Sequence, residues 1–302
     1  MEEGHQDVYK HTQERLFDSI LSSSYEWYSD NDESEDQEDL VFYGENTDLP
    51  IFDEADKLIL MHRDVHFSSS FSAMKEYYLN ENAKGICEDI DGERIAFLER
   101  VQNGLGKDIA SILISGREAE KIAAAKKMYR ELAEVSTSSS LEGKLAAALL
   151  SEESVETLAS VLLPDVKERA EVLIPLACSE FFRDPLFPSY GTGAKLALLL
   201  IGKLRYEKAV KPLFYQLGRL DTHSLEDAVL EALFQIGPPA RDMAIAKVSS
   251  LPITEDNERA ALILLKFLPD EEISTLFAKC LEIPQVKEHP SFRHYLEFGL
   301  EQ

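Results

Sequence analysis

Basic side chains are scarce in this chain of 302 residues: 31 Lys and Arg stand against 56 Asp and Glu, a formal net charge of −25 at pH 7. A field of that sign repels phosphate backbones and anionic lipid, so nucleic acid is not an expected partner, and a basic protein is a permitted one. Cysteine is scarce too. Cys87, Cys178 and Cys280 are odd in number and widely dispersed, which fits neither a disulfide framework nor a zinc site and leaves buried free thiols as the expectation. Long apolar runs are missing. The longest, Leu58–Met61 and Leu196–Ile201, fall far short of the roughly 20 residues of a membrane span. The start, Met1-Glu2-Glu3-Gly4-His5, lacks the basic start and apolar core of a secretory signal, so a cytoplasmic location is expected.

Positive charge is thinnest at the N-terminus. Residues 1–56 carry 18 acids and two bases, and from Glu26 to Asp56 there is no Lys or Arg. Asp30–Asp39 contains no apolar residue to bury, and such a run is expected to stay solvated and disordered. Aromatic residues flank it, Tyr25, Trp27 and Tyr28 before and Phe42 and Tyr43 after. That pattern suits a short segment that folds onto a partner, or one that packs back on the protein's own surface. Trp27 and Tyr28 are therefore candidate binding residues. Asp30 to Val41 has the spacing of a calcium loop only loosely: Glu35 stands where a glycine is needed and Val41 where a bidentate Glu belongs, so the loop is rejected.

Proline is absent from residue 51 to 163. Because proline costs about 3 kcal/mol inside a helix, so long a gap favours helices. Val8, Thr12, Leu16 and Ile20 share a stripe and predict a helix over 7–21. Further helices are predicted near 53–63, 68–80, 92–104, 107–114, 116–135 and 140–151. Ser115 with Glu118, and Ser139 with Glu142, have the spacing of capping boxes. Ile122, Ala125, Tyr129 and Leu132 recur on one helical face. Asp165 with Glu168 predicts a helix start that runs to Phe182, with Pro164 ending the one before. Arg183–Gly191 holds two prolines and a glycine and reads as an irregular loop between the middle helices and a final stack.

That final stack carries a repeat. Ala197-Leu-Leu-Leu-Ile201-Gly202 aligns with Ala232-Leu-Phe-Gln-Ile236-Gly237, and more weakly with Ile263-Leu-Leu-Lys-Phe267-Leu268. Each is followed by a short loop and a second apolar helix, containing Leu213-Phe214, Met243-Ala244 or Leu276-Phe277. Small Ala lets helices approach, and Gly after the helix is expected to close it in a left-handed conformation. One hairpin cannot bury its apolar face alone, so copies stack. Over residues 191–302 this resembles the HEAT family, specifically the short hairpins of phycobilin-lyase-type repeats, and it looks similar to bacterial proteins of that repeat type. The fold expected is all-α: a HEAT-like α-solenoid preceded by an irregular helical region and an acidic N-terminal segment. Residues 1–52 form an N-terminal helix and acidic linker, 53–152 a helical domain, and 153–302 the repeats, clearest from 191.

Candidate sites are few. On a helix, His62 and His66 in Met61-His-Arg-Asp-Val-His66 share a face at i, i+4, and with Asp64 they are weak candidates for a metal pair and its neighbour. No HExxH glutamate accompanies them, and the His-Arg-Asp triplet stands without the glycine-rich loop, lysine or Asp-Phe-Gly of a kinase. A hydrogen-bonded helix end is the plainer reading. Gly191-Thr-Gly-Ala-Lys195 lacks the spacing of a phosphate loop and leaves Thr192 as an ordinary N-cap. Leu186, Phe187 and Tyr190, apolar side chains in a proline-rich loop, are the best candidate contact surface, or else they plug the end of the stack. HEAT-type deoxyhypusine hydroxylases hold iron through His-Glu dipeptides, of which this chain has none. HEAT-like DNA glycosylases use a basic face, which this chain lacks. The expected function is non-enzymatic: a scaffold with a helical-repeat groove for a protein partner, a basic one being permitted, with no cofactor. The alternatives are a lyase-like or metal-dependent enzyme with a site between repeats, and a chaperone for a basic client.

Overall fold

The computed structural model describes residues 17–20, 52–80, 90–218 and 223–302, and every regular element among them is helical. The acidic segment, Trp27, Tyr28 and Cys87 lie outside the described residues. Of the helix expected over 7–21, residues 17–20 are described and form a helical turn. The protein is all-α, and no helix among the described residues is long and apolar enough to cross a membrane. Two compact units are formed: one from the described residues up to Ser154 together with Ser179–Gly193, the other from Val155–Cys178 and Ala194–Gln302.

The first unit holds α1 (Glu54–His66), α2 (Phe71–Tyr78), α3 (Gly92–Leu105), α4 (Ala110–Leu113), α5 (Gly116–Val135) and α6 (Leu141–Leu150). Two 3₁₀ turns, Phe181–Arg183 and Pro188–Gly191, return to it later in the chain. Asp53 starts α1 with a reciprocal capping box: its carboxylate accepts from the Asp56 N–H while Asp56 accepts from the Asp53 N–H. Acid in the first turn also suits the positive end of the helix dipole. α1 packs against α2, α3, α4 and α5, burying Ile59 and Leu60 with Phe71, Met74, Ile95 and Leu98.

Two buried charges fix that packing. Asp56 is fully buried and ion-paired to Arg94 of α3. Arg63 is also fully buried. Its Nη1 donates to Gln102 Oε1 at 2.8 Å, Nη2 to Asp108 Oδ1 at 2.8 Å, and Nε to Asp64 Oδ1 at 2.8 Å. The guanidinium also lies over the Phe71 ring, 4.7 Å from its centroid. A buried cation persists only when its donors are matched, and here α1, α2, α3 and the turn before α4 all supply partners.

The expected capping boxes at α5 and α6 are not the ones formed. Ser115 precedes α5 without a side-chain bond, because Glu118 is drawn to Lys57 of α1 at 3.1 Å. The cap of α6 is Ser140, which accepts from the Gly143 N–H, rather than Ser139. Thr192 does not cap the following helix either. Its hydroxyl donates to Ser189 O, and the Ser189 hydroxyl oxygen takes the Gly193 N–H.

The second unit holds α7 (Val155–Val166), a 3₁₀ turn at Ala170–Val172 and α8 (Leu173–Cys178). After the strap of the first unit come α9 (Gly193–Leu204), a turn at Glu207–Ala209 and α10 (Val210–Gln216). Then follow α11 (His223–Ile236), α12 (Pro238–Val248), α13 (Glu255–Leu265), α14 (Glu271–Leu281) and α15 (Pro290–Leu300), with a turn at Pro284–Glu288 before the last. The continuous helix expected over 165–182 is instead broken. Pro164 sits in the last turn of α7, where it removes one backbone bond without ending the helix earlier. From α11 onward alternate helices form two layers: α13 packs against both α11 and α15, and α12 packs against α14. Successive contacts run from α11 to α12, from α12 to α13 and from α14 to α15.

The two aligned glycines do different work. Gly237, at φ +87°, ends α11 and leads into the two prolines of α12. Gly202 lies inside α9 instead. A Cβ there would stand 2.6 Å from Gln235 Oε1 and 3.3 Å from the Ala232 Cα of α11, so its role is close helix approach. The left-handed residue that closes α9 is Arg205, at φ +49°. Its N–H reaches Gly202 O while the Tyr206 N–H reaches Ile201 O, the paired bonds of a Schellman ending.

Close helix approach, which Gly299 of α15 also serves, and a left-handed helix ending predict opposite effects of substitution. Gly299→Ala would place a Cβ 2.4 Å from the Phe277 ring and 3.0 Å from Leu265 Cδ2, and is expected to cost about 1–3 kcal/mol. Arg205→Gly relieves a left-handed side chain and is expected to stabilise by about 1 kcal/mol. Thermal unfolding of both variants checks the pair, and equal signs would contradict the assignment.

Candidate functional site

The structure separates the residues picked out by the loop and the His-rich segment. Leu186 and Phe187 are buried within the first unit, with the Phe187 ring 4.4 Å from that of Phe181, so they serve packing and are not a contact surface. Of the two readings of this proline-rich loop, a contact surface or a packing plug, their burial fits the second, although the core they fill is that of the first unit. Tyr190 is half-buried, and it lies on the ring of His66 at 4.6 Å. His62 and His66 do meet, with ring centroids 5.2 Å apart. Asp64 does not join them, since it faces the guanidinium of Arg63. Among the described residues no group of three His, Cys, Asp or Glu is placed to hold a metal ion.

What His62 and His66 form is a ring cluster between α1, α2, α5 and the Pro185–Gly191 strap, all within the first unit. His66 Nε2 lies 3.2 Å from Pro185 O, and Nδ1 lies 3.2 Å from the Tyr129 hydroxyl. Since a carbonyl only accepts, the proton of the neutral ring belongs on Nε2, and Nδ1 accepts from Tyr129. The Tyr129 hydroxyl also reaches Phe187 O at 3.3 Å, which already accepts from the Tyr190 N–H at 3.1 Å. Tyr77 of α2 stacks with Tyr190 at 6.1 Å and shares a hydrogen bond with it.

The electrostatics follow from burial. His62 is only 1% exposed, and neither ring nitrogen has a hydrogen-bond partner among the described residues. Burial, reinforced by the nearby Lys121 ammonium, pushes its pKa down to about 4. Burial and the neighbouring His62 push His66 down to about 3, against small opposing effects of Pro185 O and Asp184. Burial raises the phenols of Tyr129 and Tyr190. At neutral pH all four groups are therefore uncharged.

The backbone around the cluster is strained. Ser68 and Ser69, which join α1 to α2, have φ of +50° and +62°. Ser189 and Tyr190 have φ of +70° and +50°. Side chains other than glycine enter this region at a cost of roughly 1–2 kcal/mol each. These four residues surround one set of rings, and such strain concentrates where geometry is set by something other than local stability.

A second site lies in the second unit, where α12 and α14 pack in one layer. Ile245 of α12 and Leu276 of α14 floor a groove of about 480 Å³, with Thr275, Glu271, Glu272 and Lys279 around it. Arg241 at its rim is held by Asp270 Oδ2 at 2.9 Å and Glu272 Oε2 at 2.6 Å. Asp270 caps α14, accepting from the N–H groups of Ile273 and Glu272. Those bonds, the first above all, and then Arg241 hold its carboxyl below the usual range. Glu271 and Glu272 remain exposed, Glu272 paired with Arg241, so the rim offers the carboxylate of Glu271 and the ammonium of Lys279 beside an apolar floor. Reading the sequence had shown Leu276-Phe277 as the apolar part of a second helix. It could not show that Phe277 is buried while Leu276 stays half-exposed opposite Ile245, because that depends on which neighbour each helix meets.

No protein-family model, no curated protein and no solved structure matches this chain.

Two substitutions separate the bonded histidine from the unbonded one. Tyr129→Phe removes the donor to His66 Nδ1 and is expected to cost about 1 kcal/mol. His62→Leu replaces an imidazole with no partners by apolar surface and is expected to leave stability unchanged or raise it. Urea unfolding followed by circular dichroism distinguishes these, and a large loss in His62→Leu would show that its nitrogens are bonded in solution.

Proposed function

We propose that the protein is a non-enzymatic, HEAT-like scaffold that holds a segment of a protein partner in the groove between α12 and α14. One observation carries this reading: Ile245 and Leu276 leave apolar surface half-covered between α12 and α14, bordered by the exposed carboxylate of Glu271, which unlike Glu272 has no ion pair among the described residues. An apolar floor supplies affinity through burial, worth about 25 cal/mol per Å² removed from water. A charged rim selects by sign and speeds encounter more than it tightens binding. The partner segment it suits carries one or two aliphatic anchors flanked by Lys or Arg.

Helical stacking supports the same reading. Repeated hairpins give extended surfaces suited to partner segments, and α12 and α14 are neighbours in one layer of the stack. The chain's formal charge of −25 adds a long-range attraction for a basic partner. The test is affinity capture from the native cell with three proteins: the unaltered chain, Leu276→Glu and Ile245→Glu. Both changes fall at half-exposed positions, so thermal unfolding should stay close to that of the unaltered chain. Partners held by the unaltered chain are expected to be lost from both variants, and weakened severalfold between 50 mM and 500 mM salt. An unchanged set of partners in both variants would overturn the assignment.

A further inference from the structure

We propose that the His62–His66 pair is an acid-responsive latch for the Pro185–Gly191 strap: uncharged, it holds the strap against α1, α2 and α5, and proton uptake releases it. The strap belongs to the first unit yet follows an excursion of the chain through Val155–Cys178. Its polar attachments are few. Pro185 O meets His66, Phe187 O meets Tyr129, and Tyr190 lies on His66 and Tyr77. Asp184, just before it, is ion-paired with Lys121 of α5.

Donor counting shows why charge disrupts this arrangement. A neutral His66 is fully satisfied, donating to Pro185 O and accepting from Tyr129. A protonated His62 would present two N–H donors with no acceptor in reach, inside a fully enclosed position. Its charge would face Lys121 from α5 and the second imidazole 5.2 Å away on its own helix. The other titratable groups around the pair are Tyr77 from α2, Tyr129 from α5, Asp184 and Tyr190 from the strap side, and Glu152, whose charge acts on Tyr190. Of these Asp184 and Glu152 are anions; Lys121 already neutralises Asp184, and Glu152 acts on the Tyr190 phenol rather than on either imidazole. Protonation is thus accommodated only where the imidazole meets water, which requires the rings above it to move.

The sign follows from linkage. Both histidines titrate lower in the docked state than the ordinary value of about 6.5, so docking is fully favoured above that pH and loses ground as pH falls below it. For His62 alone, a fall from pH 7 to pH 5 is expected to raise the open population about twentyfold. The left-handed Ser189 and Tyr190 favour the same direction, because an open strap is free to relax.

Hydrogen exchange measured by mass spectrometry, corrected for the intrinsic pH dependence of exchange, tests this on the full chain. Amides of Tyr190, Thr192 and Gly193, which bond within the strap, should lose protection at least about twentyfold between pH 7 and pH 5, since His66 adds to the effect of His62. Those of α13 should not. The non-titrating pair His62→Leu with His66→Gln, which keeps a donor for Pro185 O, should make strap protection independent of pH. Three results would overturn the latch: a pH-independent strap in the unaltered chain, an unaltered response in the double variant, or loss of protection in α13 in step with the strap. Should the double variant not fold, proton resonances of the two imidazoles in the unaltered chain decide the matter. A ring that titrates near 6.5 while the strap stays protected would refute it.

Discussion

Helices α12, α13, α14 and α15 each have 11 residues, about three turns and some 16 Å long. Helices so short are marginal alone in water, and the second unit rests on that constraint. Each must find two or more neighbours to cover its apolar stripe. α14 shows how: Ile273, Phe277 and Cys280 are buried, and Phe277 meets Gly299 of the next helix so closely that only a glycine fits. Small residues at crossings, Ala232 against Gly202 among them, let short stripes suffice because the backbones come near enough for side chains from both sides to fill the gap.

The first unit solves its packing differently. Its helices are irregular in length, from the four residues of α4 to the 20 of α5, and polar groups in the interior set their register. Arg63 and Asp56 are buried with their bonds matched, so each acts as a positional constraint that an apolar side chain would not supply. Asn257 does likewise in the second unit, its amide donating to the carbonyls of Lys247, Val248 and Ser250 and so fastening α13 to the end of α12. His62 is the contrast: as deeply buried, and without bonds. A core histidine of that kind costs stability, and its company of strained backbone and stacked rings makes it the least expected feature of the interior.

Much of the secondary structure was legible in the sequence. The proline-free stretch and its apolar periodicity placed α1 to α6 within a few residues, and the tripled Ala-Leu pattern located α9, α11 and α13. Local chemistry was read less well where two partners competed. Glu118 had a choice between its own helix end and Lys57, and Ser139 and Ser140 stand side by side. Gly202 and Gly237 occupy the same place in an alignment, yet one serves a crossing and the other a turn, a difference set by where Arg205 ends its helix. Of the site residues, His62 and His66 were foreseen to share a face. Which core Leu186 and Phe187 fill, and the groove at Ile245 and Leu276, depend on contacts between elements distant in sequence, which no local pattern encodes.

The two units are interleaved along the chain, and that has a consequence for how the protein is made. Residues up to Ser154 leave the ribosome first, yet the buried Phe181, Phe182, Leu186 and Phe187 that complete their core come later, after Val155–Cys178 has passed. A nascent chain at that stage carries an uncovered apolar surface on the face where Tyr129 and His66 wait for the strap. Synthesis at about 5–20 residues per second keeps this surface open for some seconds. The order of the sequence therefore leaves the first unit incomplete while the opening segment of the second is already being made, and its open face needs protection from other chains during that interval.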